Sequence, residues 1–210
     1  KCYPFFYKKD LHLVNTAKKF TEEVLNIKNC PTETRIFIDK TEKEIASKKI
    51  ASNKKNIILG VGSSGPTTRW GSNNYINLIK ELVKKNDFFF FLLCGPNEKQ
   101  IADTILNEVD KNCCLSLDDK KISEIIPLIS LADIYVGNDS FGQHVASQCN
   151  IPSIIIMLDT PRAYSDYSIN QFRILPNGVN VNDISHDSNF SPDTIKVEKV
   201  SEKIFSLLKL

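Results

Sequence analysis

At 210 residues, 41% hydrophobic and 25% charged, the chain has an ordinary globular composition, with length for one good core and an appendage. Twenty-seven basic against 25 acidic residues leave a net charge of +2, and with no dense basic stripe this excludes a nucleic-acid footprint. No apolar run reaches the length of a transmembrane helix and no secretory apolar region opens the chain. Scattered lysine pairs read as solvated helix faces, with a slight pull toward an acidic membrane surface left open. The six cysteines show neither C-x-x-C pairing nor zinc spacing, which fits a reduced, cytosolic compartment.

Residues 1–9 are aromatic and basic and give no periodic signal. Asp10 is a candidate N-cap for a helix through Ile27, with Leu13, Ala17, Phe20, Val24 and Ile27 at helical spacing. Arg35–Ile38 is a candidate short strand. Thr41 to Glu44 form a capping-box sequence that predicts a helix to Ala51. From Asn56 strands and helices alternate: strand 56–61, helix 72–85, strand 87–93, helix 97–109, strand 113–117, helix 122–131, strand 134–136, helix 141–149, strand 153–157, a short strand 172–175 and a closing helix 198–208. The run Asp87–Leu93 lacks polar alternation, so both of its faces are expected to be covered. Pro127 falls inside a helix and removes one ladder bond, tolerable where the helix starts close before it. The polar stretch 176–192 is expected to be irregular.

This alternation predicts an α/β fold, a Rossmann-like, mostly parallel sheet with helices on both faces. Right-handed crossovers bring the loops after the strands to one edge, where ligands bind. The turn Gly137-Asn138-Asp139-Ser140 leads into the helix that carries His144, and free amides at that helix start favour an anion. The local alternative is an N-cap at Asn138 or Asp139 and a buried structural histidine.

Gly60-Val61-Gly62-Ser63-Ser64-Gly65 is a G-x-G-x-x-G after a strand. A dinucleotide fold needs the helix to open within the motif and an acid closing the second strand. Here Pro66 follows, and no acid appears until Glu98. Nor is there a Walker Gly-Lys-Ser/Thr. What remains is a loop of small residues and hydroxyls, Ser63, Ser64, Thr67 and Thr68, beside Arg69, suited to a phosphate. Trp70 is expected to pack the loop onto its helix.

Together these loops resemble glycosyltransferase family 9, the heptosyltransferase-type enzymes of lipopolysaccharide core synthesis. The resemblance runs from about Asn56 to Asp166. It rests on the small-residue loop ending in Arg69-Trp70, on Cys94-Gly95-Pro96, on Gly137-Asn138-Asp139-Ser140-Phe141-Gly142-Gln143-His144, and on Pro152 before the next strand. Two departures stand out. Thr68 stands where family members often carry Lys, and Phe141 stands where Gly usually follows Ser directly.

The resemblance implies one half of a GT-B fold that binds a nucleotide-sugar donor, ADP-heptose being the family's best-known case. Ser63, Ser64, Thr67, Thr68 and Arg69 would meet the diphosphate, and Gly95 and Pro96 the nucleoside. Asn138, Asp139, Ser140, Gly142 and His144 would line the sugar pocket. Residues 52–210 would form the donor domain and 1–51 a remnant of a first domain plus linker helices. The catalytic base and the acceptor site would lie in that first domain, and the chain, which opens on Lys1, is read as truncated and inactive alone. Transfer would be inverting and metal-independent, without a cofactor, because amides, serines and Arg stabilise the leaving diphosphate and no Asp-x-Asp is present. The acceptor would be a lipid-linked saccharide at the inner face of the cytoplasmic membrane. A non-catalytic nucleotide- or sugar-phosphate-binding module and a fragment of a nucleotide-sugar epimerase would use the same loops, and a dehydrogenase is a more distant reading.

Overall fold

The computed structural model describes residues 12–33 and 35–210. Asp10 and the aromatic residues 1–9 lie outside them. In chain order the elements are α1 (Leu13–Leu25), α2 (Lys40–Ser47), β1 (Lys55–Gly60), α3 (Ser72–Leu82), β2 (Phe88–Leu93), α4 (Lys99–Leu106), β3 (Cys114–Ser116), α5 (Ile122–Leu131), β4 (Ile134–Asn138), α6 (Phe141–Gln148), β5 (Ser153–Ile156), β6 (Gln171–Ile174) and α7 (Val197–Leu208).

The strands form one parallel sheet in the order β3-β2-β1-β4-β5-β6. The order reverses between β1 and β4, which opens a crevice at their carboxyl ends. Gly60 and Gly137 pair across that junction. A Cβ on Gly137 would lie 2.6 Å from the Gly60 backbone, so only glycine lets the two strands meet there.

The sheet is coated on both faces. Along β2, Phe88, Phe90 and Leu92 enter the core shared with α3, α4 and α7, while Phe91 and Leu93 enter the one shared with α2, α5 and α6. Two-residue periodicity with both sets apolar produces this burial. Each fully buried Phe or Leu contributes roughly 1.5–3 kcal/mol. Trp70 joins the first core, wholly buried, edge-on to Tyr75 at 5.1 Å, with its indole N–H donating to the Ile195 carbonyl.

Several expectations are corrected. The cap of α2 is Asp39, not Thr41: its carboxylate accepts from the Thr41 and Glu42 amides at 2.8 and 3.3 Å, bonds that hold its pKa below the usual value. Residues 35–38 form no strand. Ala46 of α2 is buried against the α5 side of the sheet. β4 continues through Asn138, whereas Gly137 was expected to end it. A 3-10 turn at Pro96–Glu98 precedes α4, which ends at Leu106. Helix α5 starts five residues before Pro127, near enough to its first turn for the lost ladder bond to be tolerated. Among the described residues no helix is long and apolar enough to cross a membrane.

Candidate functional site

The residues picked out along the chain do converge on the carboxyl edge of the sheet, but they divide into a structural tie, a cavity and an acidic corner. The tie is Asn138. Its side chain is fully buried, its Oδ1 accepts from the Trp70 amide (2.9 Å) and the Tyr75 hydroxyl (3.1 Å), and its Nδ2 donates to the Val61 carbonyl at 3.0 Å. Asn138 therefore clamps the loop after β1 onto β4 and has no group left for a sugar, contrary to its expected place in the sugar pocket.

The loop after β1 is also turned inward. The Ser63 and Thr68 hydroxyls both donate to the Gly65 carbonyl at 2.7 Å and touch each other. Thr67 donates to Asp159. Arg69 Nη2 donates to the Ser63 carbonyl and to Glu98 Oε1, each at 2.8 Å. In the sequence Glu98 only marks the lack of an acid at the end of β2. In the fold it reaches back, accepting from the Ser63 amide with Oε1 (2.8 Å) and from the Gly95 amide with Oε2 (3.0 Å). One carboxylate thus joins the loops after β1 and β2, and it neutralises the charge of Arg69. A Cβ on Gly62 would sit 2.1 Å from that carboxylate, which is why a glycine stands there. The signal available in the sequence was the acid itself, but only the fold shows where it points.

Over these two loops lies a cavity of about 410 Å³. Ser63, Ser64, Gly95, Pro96, Ser140 and Gly142, all expected site residues, line it. Leu93, Ile122 and Ile125 make an apolar wall. Helix α6 points its N-terminus here. Its cap residue Ser140 makes no side-chain capping bond, so the first amides of α6 remain for an anion. Gly142 is required by packing, since a Cβ there would lie 2.5 Å from Leu93 and from Tyr135.

The acidic corner is formed by Asp139, His144, Asp159, Thr160 and Tyr167. Asp139 Oδ1 accepts from Gln143 Nε2 at 2.8 Å and lies 4.0 Å from His144 Nε2. Burial raises the Asp139 pKa, opposed by the Gln143 bond and the nearby imidazole. Burial lowers the His144 pKa, opposed by Asp139. His144 Nδ1 meets the Tyr167 hydroxyl at 2.6 Å, and the two rings lie nearly parallel. Asp159 and Tyr167 come from the loop after β5, whose length concealed them in the sequence. Asp159 is 4% exposed, and its Oδ1 has no hydrogen-bond partner among the described residues. Asp139 and His144 are thus together, as expected, while Thr67 belongs to this corner and not to the phosphate side. Among the described residues no group of three or more His, Cys, Asp or Glu side chains could hold a metal ion.

The sequence pattern of glycosyltransferase family 9 (heptosyltransferase) matches residues 5–192. The chain belongs to glycosyltransferase family 9. Of curated relatives, lipopolysaccharide heptosyltransferase 1 of Campylobacter coli is 28% identical over 180 residues, 81% of this chain and 52% of that protein. This family 9 chain therefore spans about half the length of that relative. Among solved structures, ADP-heptose lipopolysaccharide heptosyltransferase II of E. coli superposes with a TM-score of 0.70 at 21% identity, over 83% of this chain and 53% of that one. The glycosyl transferase family 9 structure from Veillonella parvula DSM 2008 superposes with a TM-score of 0.79 at 15% identity, over 99% and 62%. These likenesses establish the shared Rossmann-like α/β fold.

Proposed function

We propose that this chain is the donor-binding half of an inverting, metal-independent glycosyltransferase. It takes a heptose-like sugar from a nucleoside-diphosphate donor toward a lipopolysaccharide-type saccharide acceptor. The observation that carries this reading is the junction of the uncapped α6 N-terminus with a cavity on one side and the buried Asp139 on the other. An anion at the helix start then has an apolar slot for a nucleoside and a carboxylate for sugar hydroxyls.

The amides of α6 and of the Ser64 loop hold the diphosphate and stabilise the charge that develops on it as the sugar leaves. Arg69 and Glu98 hold the loop in shape; because they neutralise each other, little net charge from Arg69 reaches the phosphates. Asp139 accepts hydrogen bonds from sugar hydroxyls, and His144, whose imidazolium form burial disfavours, adds a second polar contact held by Tyr167. The acceptor and the catalytic base are supplied by a first domain facing this one, at the inner face of the cytoplasmic membrane. Residues 52–210 form the core of the donor half.

Calorimetric titration with ADP, UDP, GDP, CMP and NAD tests the reading. One nucleoside diphosphate is expected to bind and NAD is not. Its sugar-linked form is expected to bind more tightly, with that increment lost in Asp139→Ala. Binding of NAD, or of none of the nucleotides to the folded chain, would sink it.

A further inference from the structure

Phe141 occupies the first position of α6, where the family pattern usually has glycine. It stays 43% exposed. Its neighbour explains why the ring cannot be placed one residue later. Position 142 lies flat against Leu93 and Tyr135, with no room for a Cβ. The glycine demanded by packing stands at 142, and Phe141 lines the cavity. There it borders two different environments. Ser140 and the uncapped amides lie beside it in the chain, and Ile122 lines the same cavity from the start of α5, itself 60% exposed. Pro96 lines it from the turn after β2.

An exposed aromatic ring next to an anion site loses free energy to water unless a ligand covers it. A nucleotide has the matching shape: a phosphate for the amides and a flat π-face for the ring. Any base presents such a face, so a stacking contact supplies affinity for the nucleoside while the choice among bases is made by the polar rim.

We propose that Phe141 is a nucleoside-stacking residue, whose ring covers the base of the bound nucleoside diphosphate opposite the wall made by Ile122 and Pro96. This rests on the donor-binding reading above and deepens it. It gives this chain an aromatic contact from the helix that also holds the diphosphate.

The test is calorimetric titration of the full chain and its Phe141→Ala, Phe141→Leu and Phe141→Trp variants, with the tightest-binding nucleoside diphosphate and with inorganic pyrophosphate. Phe141→Ala is expected to weaken the nucleotide about tenfold or more. Pyrophosphate binding is expected to stay the same. Phe141→Trp should restore nucleotide binding and Phe141→Leu should not, because the ring and not merely its apolar volume is needed. The side chain is exposed, so thermal midpoints should agree among the four proteins. Unchanged nucleotide binding by Phe141→Ala overturns the stacking role and leaves the donor site standing, as does an equal loss for pyrophosphate. If the unaltered chain binds no nucleoside diphosphate, the donor reading fails and this role fails with it.

Discussion

The loop after β1 and the turn after β4 are alike on paper. Each follows a buried strand, each opens on glycine, and each carries hydroxyls and a charged residue. In the fold they are used in opposite ways. The first spends its side chains on itself: Ser63 and Thr68 on the Gly65 carbonyl, and Arg69 on Ser63 and Glu98. The second spends Asn138 on holding the first and only one carboxylate oxygen of Asp139 on Gln143, and it leaves the first α6 amides facing the edge. A polar loop becomes a binding surface only with the donors and acceptors that its own closure does not consume.

Substitutions can break that contrast, beginning with the tie between the two regions. Asn138→Ala leaves the Trp70 amide and the Val61 carbonyl short of a partner in the core, while the Tyr75 hydroxyl keeps the Gly60 carbonyl. It is expected to destabilise the fold by about 3 kcal/mol or more, read from urea unfolding. A change below 1 kcal/mol would show that the clamp is dispensable.

Glu98→Ala acts on the first region alone. It leaves Arg69 unpaired and two loop amides open, with the pair only partly buried (31% and 17% exposed). The expected loss is about 1–3 kcal/mol after allowing for solvent. Nucleotide binding should fall with it, because the loop loses its brace. Undiminished binding would mean that the brace does not shape the site.

Asp139→Asn separates binding from stability in the second region. Burial raises the Asp139 pKa, so the fold favours the neutral acid. Its contribution to stability is fully present below the unfolded-state value and is lost as pH rises through the higher folded-state one. The amide variant escapes that loss. It should unfold at the same or a higher temperature than the parent at pH 7, with the difference vanishing in acid, while the sugar-dependent increment in donor affinity disappears. A variant that is less stable at pH 7 would make Asp139 a structural residue like its neighbour.

The smallest effect is expected from Ser63→Ala, whose hydroxyl is already committed to Gly65. Nucleotide affinity should change by less than about 1 kcal/mol, and Ser64→Ala should weaken it more. The reverse ranking would place the Ser63 hydroxyl on the phosphate. For His144, an NMR titration should give a midpoint below the ordinary histidine value, because burial disfavours the imidazolium.

Much of this molecule was legible along the chain. The strand and helix order, the doubly covered β2 and the packing role of Trp70 follow from local periodicity and apolar content, which neighbouring residues determine among themselves. So does the convergence of the loops, since parallel strands with right-handed crossovers leave no other edge for them. Tertiary structure alone decided which polar residues remain available. Asp139 and Asn138 are adjacent and equally polar, and nothing local separates a residue aimed at the edge from one aimed under a loop about 70 positions earlier. Glu98, Asp159 and Tyr167 act through partners far along the chain, and Asp39, not Thr41, is the cap because its carboxylate accepts from two amides of the first turn. Hydrogen-bond partners are a property of the folded surface, so the sequence by itself determined the frame of the site, and the fold decided which of its groups are spent and which are left to bind.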